Sequence, residues 1–418
     1  MNIRYNLSTS VAILVGFAIF CDQFVYGVLV PTLPAIATRQ NISTSDLGLV
    51  MSSYSVGIVV TPVVAIISDT WGNRKIPMVV ASFVLAFAML LFAWGTSMEH
   101  FLIARMIQGI VGGVSWMIGF SMLAESFPTH LGKVMGSVMT ANTLGNLAGP
   151  PMGGLFFDYL GELSPLYLCF GVCLLDTLFR LVIVRPIFSW NYEKDKEGQE
   201  SEPFIEHQET QSELVIPQQV GLLKIICNPK MLITLFAIIV GEAVLTGIEP
   251  TLPLYLQTRF GYGPSKIGIL WMSITIPKMF SCTYAGILSD SYGRKNTTIL
   301  GLMLFSLGCF PLGLANEIWL LCIILCLFGV GAGISLTPGV PEMAELAKQQ
   351  GDTSYGTVYS LYNIASSVGM MLGPIIGSWI YGNYGFLIQL QVFSGFLVVT
   401  AFILFIFQHT GKKSEITE

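Results

Sequence analysis

Long apolar runs alternate with short polar breaks along the 418 residues. About 20 apolar residues in a helix cross the ~30 Å hydrocarbon layer of a bilayer. Twelve runs come near or past that length: 11–33, 46–68, 76–97, 100–124, 133–157, 164–188, 231–256, 265–288, 297–315, 317–340, 355–381 and 386–408. The pattern predicts an all-α membrane protein of twelve transmembrane helices, with both termini on one side. A long polar stretch, NYEKDKEGQESEPFIEHQETQSE from Asn191 to Glu213, separates the sixth run from the seventh and reads as a solvated linker. The expected organisation is a six-helix bundle over 1–189, a linker over 190–229 and a second six-helix bundle over 230–418.

Composition agrees, since 53% hydrophobic residues against 11% charged ones exclude a soluble globular domain of this size. The first run is too long for a cleaved signal peptide and lacks a small-residue cleavage site, so it reads as a permanent helix. All the cysteines except Cys227 lie in the runs and read as core residues. Arg4, Arg74, Lys75, Lys133, Arg294, Lys295, Lys412 and Lys413, among others, fall on the side of the termini, against Arg39, Arg259 and Lys266 opposite. The bias of Lys and Arg toward cytoplasmic loops therefore places termini and linker in the cytoplasm. His100, His130, His207 and His409 are isolated, without metal-ligand spacing, and no phosphate-binding loop is present. An enzyme or a self-contained ATP-driven pump is not expected; the expected energy source is a proton gradient, with no cofactor.

The two halves repeat each other. SDTWGNRK at Ser68–Lys75 returns as SDSYGRK at Ser289–Lys295, and PTLP at Pro31–Pro34 returns at Pro250–Pro253. On the fifth helix of each half, Ala141, Gly145, Gly149-Pro150 and Gly153 match Ala365, Gly369, Gly373-Pro374 and Gly377. Parallel six-helix repeats joined by a linker are the organisation of a transporter with its substrate path between the halves. Small residues every four positions form a stripe that admits a close neighbouring helix, and Pro150 and Pro151 are expected to kink the helix there.

Charges inside the apolar runs mark where chemistry is expected. They are Asp22 on the first, Arg105 on the fourth, Glu242 and Glu249 on the seventh and Lys278 on the eighth. Seven residues apart in a continuous helix, Glu242 and Glu249 would share one face two turns apart. They are the candidates for proton coupling, with Lys278 as a partner that would instead fix one of them in a buried ion pair. Asp176 and Arg180, four residues apart on the sixth run, are expected to pair with each other. Tyr26, Trp116, Trp271, Tyr359 and Tyr362 either line an aromatic site for an organic cation or pack as core.

The whole chain resembles the major facilitator superfamily. The family's loop motif G-x-L-x-D-R-x-G-R-[KR] is matched by Gly286, Leu288, Asp290, Gly293, Arg294 and Lys295, and in the first half by Asp69, Gly72, Arg74 and Lys75, with Ala65 and Thr70 departing from it. Gly136, Gly145, Gly149-Pro150 and Gly153-Gly154 resemble the signature of its drug:proton antiporter branch, which implies an outer-side hinge and seal. Within that branch, FCDQFVYGVLVPTLP, LIARMIQG, KVMGSVM, AGPPMGG, IEPTLPLYL and YGTVYSLYNIA resemble the vesicular amine transporters and their microbial relatives. The resemblance implies that Asp22 meets a substrate ammonium and that Glu249 matches an acid of the EPTLP segment. It fails at Asn363, at Thr337 and Pro338, and at Ser53 or Tyr54, where the family carries acids and a lysine.

The sequence thus points to a secondary active transporter that exports or sequesters a small organic, cationic or amphiphilic, solute in exchange for protons. The expected substrate-facing residues are Asp22, Tyr26, Arg105, Trp116, Tyr359, Tyr362 and Asn363. Expected partners are the small-molecule substrate, protons and the lipid bilayer, without nucleic acid. A monomer is expected, in the plasma membrane or an acidic intracellular compartment. The alternatives are a proton-independent uniporter or importer of a neutral solute, and a transport-inactive receptor or scaffold.

Overall fold

In hydrocarbon the backbone has only itself to bond, so each apolar run winds into a helix. A computed structural model describes residues 2–70, 75–127, 131–200, 228–349 and 355–414, with side chains over 8–61, 76–123, 126–127, 134–182, 228–349, 358 and 360–407. The first half holds α1 (Asn2–Arg39), α2 (Thr44–Thr70), α3 (Lys75–Trp94), α4 (Met98–Ser126), α5 (Leu131–Leu160) and α6 (Ser164–Glu200). The second holds α7 (Pro229–Gly247), α8 (Thr251–Phe260), α9 (Pro264–Tyr292), α10 (Arg294–Cys309), α11 (Ile318–Leu336), α12 (Gly339–Gln349), α13 (Tyr355–Tyr384) and α14 (Phe386–Ser414). Among the described residues, nine stretches are long and apolar enough to cross a membrane. With α2, α5 and α9 they make the twelve spans of two six-span repeats.

Two of the spans are split into two α-helices each. The seventh breaks between Gly247 and Thr251, beside Pro250 and Pro253, whereas the repeat-related Pro31 and Pro34 lie inside the unbroken α1. Glu242 and Glu249 are therefore not two turns apart on one helix face. The tenth stops at Leu336, before Thr337 and Pro338, and resumes as α12, which buries Met343, Leu346 and Ala347. Through Pro150 and Pro151, by contrast, α5 continues without interruption.

Packing repeats along with the sequence. α1 lies along α5, α2 along α4 and α3 along α6; their counterparts α7 and α13, α9 and α11, and α10 and α14 pair in the same way. The small-residue stripe serves these pairs inside each half. A Cβ on Gly149 would lie 2.6 Å from the Phe24 carbonyl oxygen and 2.8 Å from Gly27 Cα, so only glycine lets α5 meet α1 there. Gly145 and Gly153 sit on the same helix at Phe20, Phe24 and Val28, and Gly369, Gly373 and Gly377 seat α13 on α7 likewise.

Contact between the halves uses other residues. Gly268 of α9 rests on the Pro150 carbonyl, Gly154 of α5 rests on Pro264, and by the repeat Gly48 of α2 rests on Pro374 and Ser378 of α13. Ser265 donates its N–H to Asp158 Oδ2 and its hydroxyl to the Gly154 carbonyl, each at 2.9 Å. These joints all lie toward the side opposite the termini. The stripe and the seal thus occupy different faces of α5.

On the side of the termini, Lys295 Nζ lies 3.7 Å from Glu342 Oε1, while Arg294 Nη1 reaches Glu345 Oε2 at 4.0 Å and donates to the Pro341 carbonyl at 2.9 Å. The second-half loop motif therefore clamps α12 through its bases. Asp290, expected to supply the latching carboxylate, is exposed and forms no ion pair among the described residues, while Gly293 makes the turn at φ 87°. Such partly exposed pairs contribute about 0–1 kcal/mol each. In the first half, Gly72 and Arg74 and the side chains of Asp69 and Lys75 lie outside the described residues.

Candidate functional site

Asp22 and Tyr26 stand one turn apart on α1, on the face turned to α4. Asp22 is 2% exposed, and its Oδ1 lies where a Cβ on Gly112 would be only 2.7 Å away, so this carboxylate fits because α4 carries a glycine there. Gln23 Nε2 donates to Asp22 Oδ2 at 3.3 Å, and Oδ1 has no hydrogen-bond partner. Trp116, one turn along α4 from Gly112, approaches the same carboxylate and packs edge-on to Phe120.

A second cluster lies one turn along. Arg105 is fully buried, its guanidinium carbon 4.6 Å from the Tyr26 ring centre and 5.0 Å from that of Tyr54. It donates to Gln108 Oε1 at 2.6 Å and to Met51 Sδ at 3.7 Å, leaving Nε unpartnered. A desolvated cation on an aromatic face gains about 2 kcal/mol. Tyr26 also donates its hydroxyl to Glu249 Oε2 at 2.6 Å, from the first half to the second. One tyrosine thus places its ring against a buried cation and its hydroxyl against a buried carboxylate. Tyr26→Phe should remove a charge-assisted bond worth about 1.5–3 kcal/mol. The expected result is a measurably lower thermal unfolding midpoint in detergent, and an unchanged midpoint would show that the bond contributes nothing.

Glu249 occupies the break between α7 and α8. The neighbouring Gly247 carbonyl accepts from Gln389 Nε2 of α14 at 2.9 Å, a fully buried side chain that supports the break. Glu242 is half-buried on α7 beside Gly369, near Tyr362, which is half-buried too. Lys278, half-buried on α9, faces Glu242 and Glu249 without a direct ion pair to either among the described residues. Asn363 is exposed, Trp271 is buried in the second-half core, and the Tyr359 side chain lies outside the described residues. Among the described side chains, Tyr26 and Tyr54 come together and Arg105 lies over both, while Trp116, Trp271 and Tyr362 stand elsewhere.

Sequence reasoning singled out neither Tyr54 nor Gln108 as a site residue. Both carried a signal: Tyr54 stands where the resemblance lapses from a lysine, and Gln108 is three residues from Arg105 on one helix face.

A sequence model described as the Major Facilitator Superfamily matches residues 15–283 and 246–418. The chain is 25% identical over 410 residues to an uncharacterized MFS-type transporter, C18.02, of Schizosaccharomyces pombe, covering 91% of each chain. It is 22% identical over 413 residues to a vesicular acetylcholine transporter of Drosophila melanogaster, covering 91% of this chain and 68% of that one. Among solved structures, the nucleoside transporter NupG superimposes with a TM-score of 0.75 over 96% of this chain and 98% of that one, at 15% identity. At that identity the likeness concerns the fold alone.

Proposed function

Because this chain belongs to the major facilitator superfamily and is a multi-pass secondary transporter, we propose that it moves a small organic cation or amphiphile out of the cytoplasm in exchange for protons, by alternating access. The observation that carries this reading is the charge balance of the interior. Among the described residues the middles of the spans hold four acids, Asp22, Asp176, Glu242 and Glu249, against three bases, Arg105, Arg180 and Lys278. With all of them ionised, one positive charge is missing, and a buried charge without compensation costs several kcal/mol. A proton or a monovalent ligand cation supplies it, and the two exclude each other. Asp22, with an oxygen unpartnered, is the ligand anchor in this scheme. Glu249, linked to Tyr26 and through it to Arg105, and Glu242, facing Lys278, carry the exchanged proton. The joints at Gly268 and Gly48 support a state shut on the side opposite the termini.

Sealed proteoliposomes test this with ethidium as the organic cation and imposed pH gradients. One pH unit should support up to about tenfold accumulation at one-for-one exchange. Replacing Glu242 and Glu249 together by glutamine, which mimics the protonated acids, should abolish the response of ethidium flux to the gradient. Gradient-driven flux persisting in that variant overturns the coupling assignment.

The placement of Arg105 favours a second reading. Its guanidinium already covers Tyr26 and Tyr54, and its Nε and Gln108 Nε2 are buried donors without partners, suited to a neutral polar solute. Uridine flux indifferent to the pH gradient would favour that reading. Absence of any flux, with Asp22 and Glu249 replaceable without effect, would favour a receptor or scaffold.

A further inference from the structure

Asp176 and Arg180 are buried charges to which the exchange scheme gives no task. Both are 2% exposed and lie 2.6 Å apart. Arg180 Nη1 also donates to the Met78 carbonyl at 2.7 Å and to Ser115 Oγ at 3.3 Å, so the guanidinium is tied to α3, α4 and α6 at once. Asp176 Oδ1 and Arg180 Nε remain without partners. Ser115 is one turn along α4 from Gly112, the residue against which Asp22 lies. Arg180 is thus anchored about 4.5 Å of helix rise from the Asp22 contact, whereas Arg105 is seven residues, about 10.5 Å of rise, away. The tethers hold Arg180 beyond ion-pair distance of Asp22, since no ion pair joins the two.

We infer that Arg180 is a positioning residue for Asp22: anchored by Asp176, it supplies the counter-charge that lets Asp22 remain a carboxylate while leaving Oδ1 open to a ligand. A mobile arginine would close onto Asp22 and neutralise it directly; without Arg180 the carboxylate would keep only Trp116, Gln23 and the more distant Arg105 against the cost of its apolar surroundings. The titratable and charged groups around Asp22 are Cys21 on α1, Tyr54 on α2, Arg105 on α4, and Cys173, Asp176 and Arg180 on α6. The α5 face against α1 supplies the small residues Ala141, Gly145 and Gly149. This inference rests on the reading of Asp22 as the cation anchor only for its purpose; its test reads charge state and not transport.

Dicyclohexylcarbodiimide modifies protonated carboxyl groups in apolar surroundings, and peptide mass spectrometry locates the adduct. At neutral pH, Asp22 should stay largely unmodified in the wild type and in Asp176→Asn, which keeps Arg180. In the double variant Asp176→Asn/Arg180→Gln its modification should rise about tenfold or more. Lysine in place of that glutamine should suppress the rise, a rescue that lost packing alone would not give. Equal Asp22 modification in the wild type and the double variant overturns the inference. Should the double variant fail to fold, the infrared difference spectrum of wild type minus Asp22→Asn decides. A carboxylate stretch for Asp22 supports the inference, and a protonated carbonyl stretch sinks it.

Discussion

Gly268→Leu should open the protein on the side opposite its termini while leaving it folded. A Cβ at Gly268 would run into the Pro150 carbonyl oxygen and lie 2.7 Å from its carbon and 3.1 Å from Pro151 Cα. Backbone cannot yield as a flexible side chain does. Yet the two helices belong to different halves, so separating the halves as rigid bodies relieves the clash without breaking a helix. Gly149→Leu makes the opposite case: its obstacles, the Phe24 carbonyl and Gly27, are on α1 in the same half. No movement between halves helps there, and overpacking of this kind costs about 1–3 kcal/mol or more. In a Ser265→Cys background, a membrane-impermeant maleimide should label the Gly268→Leu variant about tenfold faster than its parent, the advantage given by roughly 1.4 kcal/mol of bias toward the open state. Its thermal midpoint should stay near the parent's, while that of Gly149→Leu falls. Unchanged labelling in Gly268→Leu would remove α5 and α9 from the seal. Gly48→Leu tests the repeat-related joint with the same expectation.

Asp22→Asn should weaken ethidium binding by about a hundredfold or more. Removing one partner of a buried charge pair costs about 3–5 kcal/mol, and every 1.4 kcal/mol is tenfold in affinity. Equilibrium binding in detergent, followed by ethidium fluorescence, reads this directly. Glu249→Gln, which mimics the protonated acid and removes the charge deficit, should weaken binding less than Asp22→Asn does and should remove its dependence on pH, because in this scheme that acid meets the proton and not the ligand. Gly112→Ala should fall between them, since its methyl group would press on Asp22 Oδ1 and turn the carboxylate. Undiminished binding by Asp22→Asn would exclude it as the anchor.

Much of this architecture is visible in the chain alone, for identifiable reasons. Spans show because hydrocarbon demands length and apolarity together, and the repeat shows because glycine, proline and loop charges recur in one order. The break at Ile248–Pro250 does not show in hydropathy, since a turn within an apolar run is as apolar as a helix. Proline spacing at 250 and 253 does not single it out, because the same PTLP at Pro31–Pro34 lies inside the unbroken α1. Asp22, Arg105 and Glu249 stand out as charges where charge is costly. Their pairing does not, because the bond from Tyr26 to Glu249 spans 223 residues and nothing local predicts it. Tyr54 and Gln108 look like ordinary packing until Arg105 is placed against them. The glycine stripe announces a close approach but not its partner: Gly145, Gly149 and Gly153 turn out to join α5 to α1 within one half, while Pro150 and Gly154 of the same signature meet α9 of the other.

Glu249 stands on backbone that has already given up its helical ladder: its N–H bonds to Thr246, three residues back, and the Gly247 carbonyl is served by a side chain. A change of angle between α7 and α8 therefore starts without tearing out a run of helical hydrogen bonds, the step that makes local unfolding slow. Reorientation of the acid belongs with hinge motion, on a scale of about microseconds to milliseconds. The tempo of such a cycle would then not be held back by the breaking and remaking of helical backbone around this carboxylate.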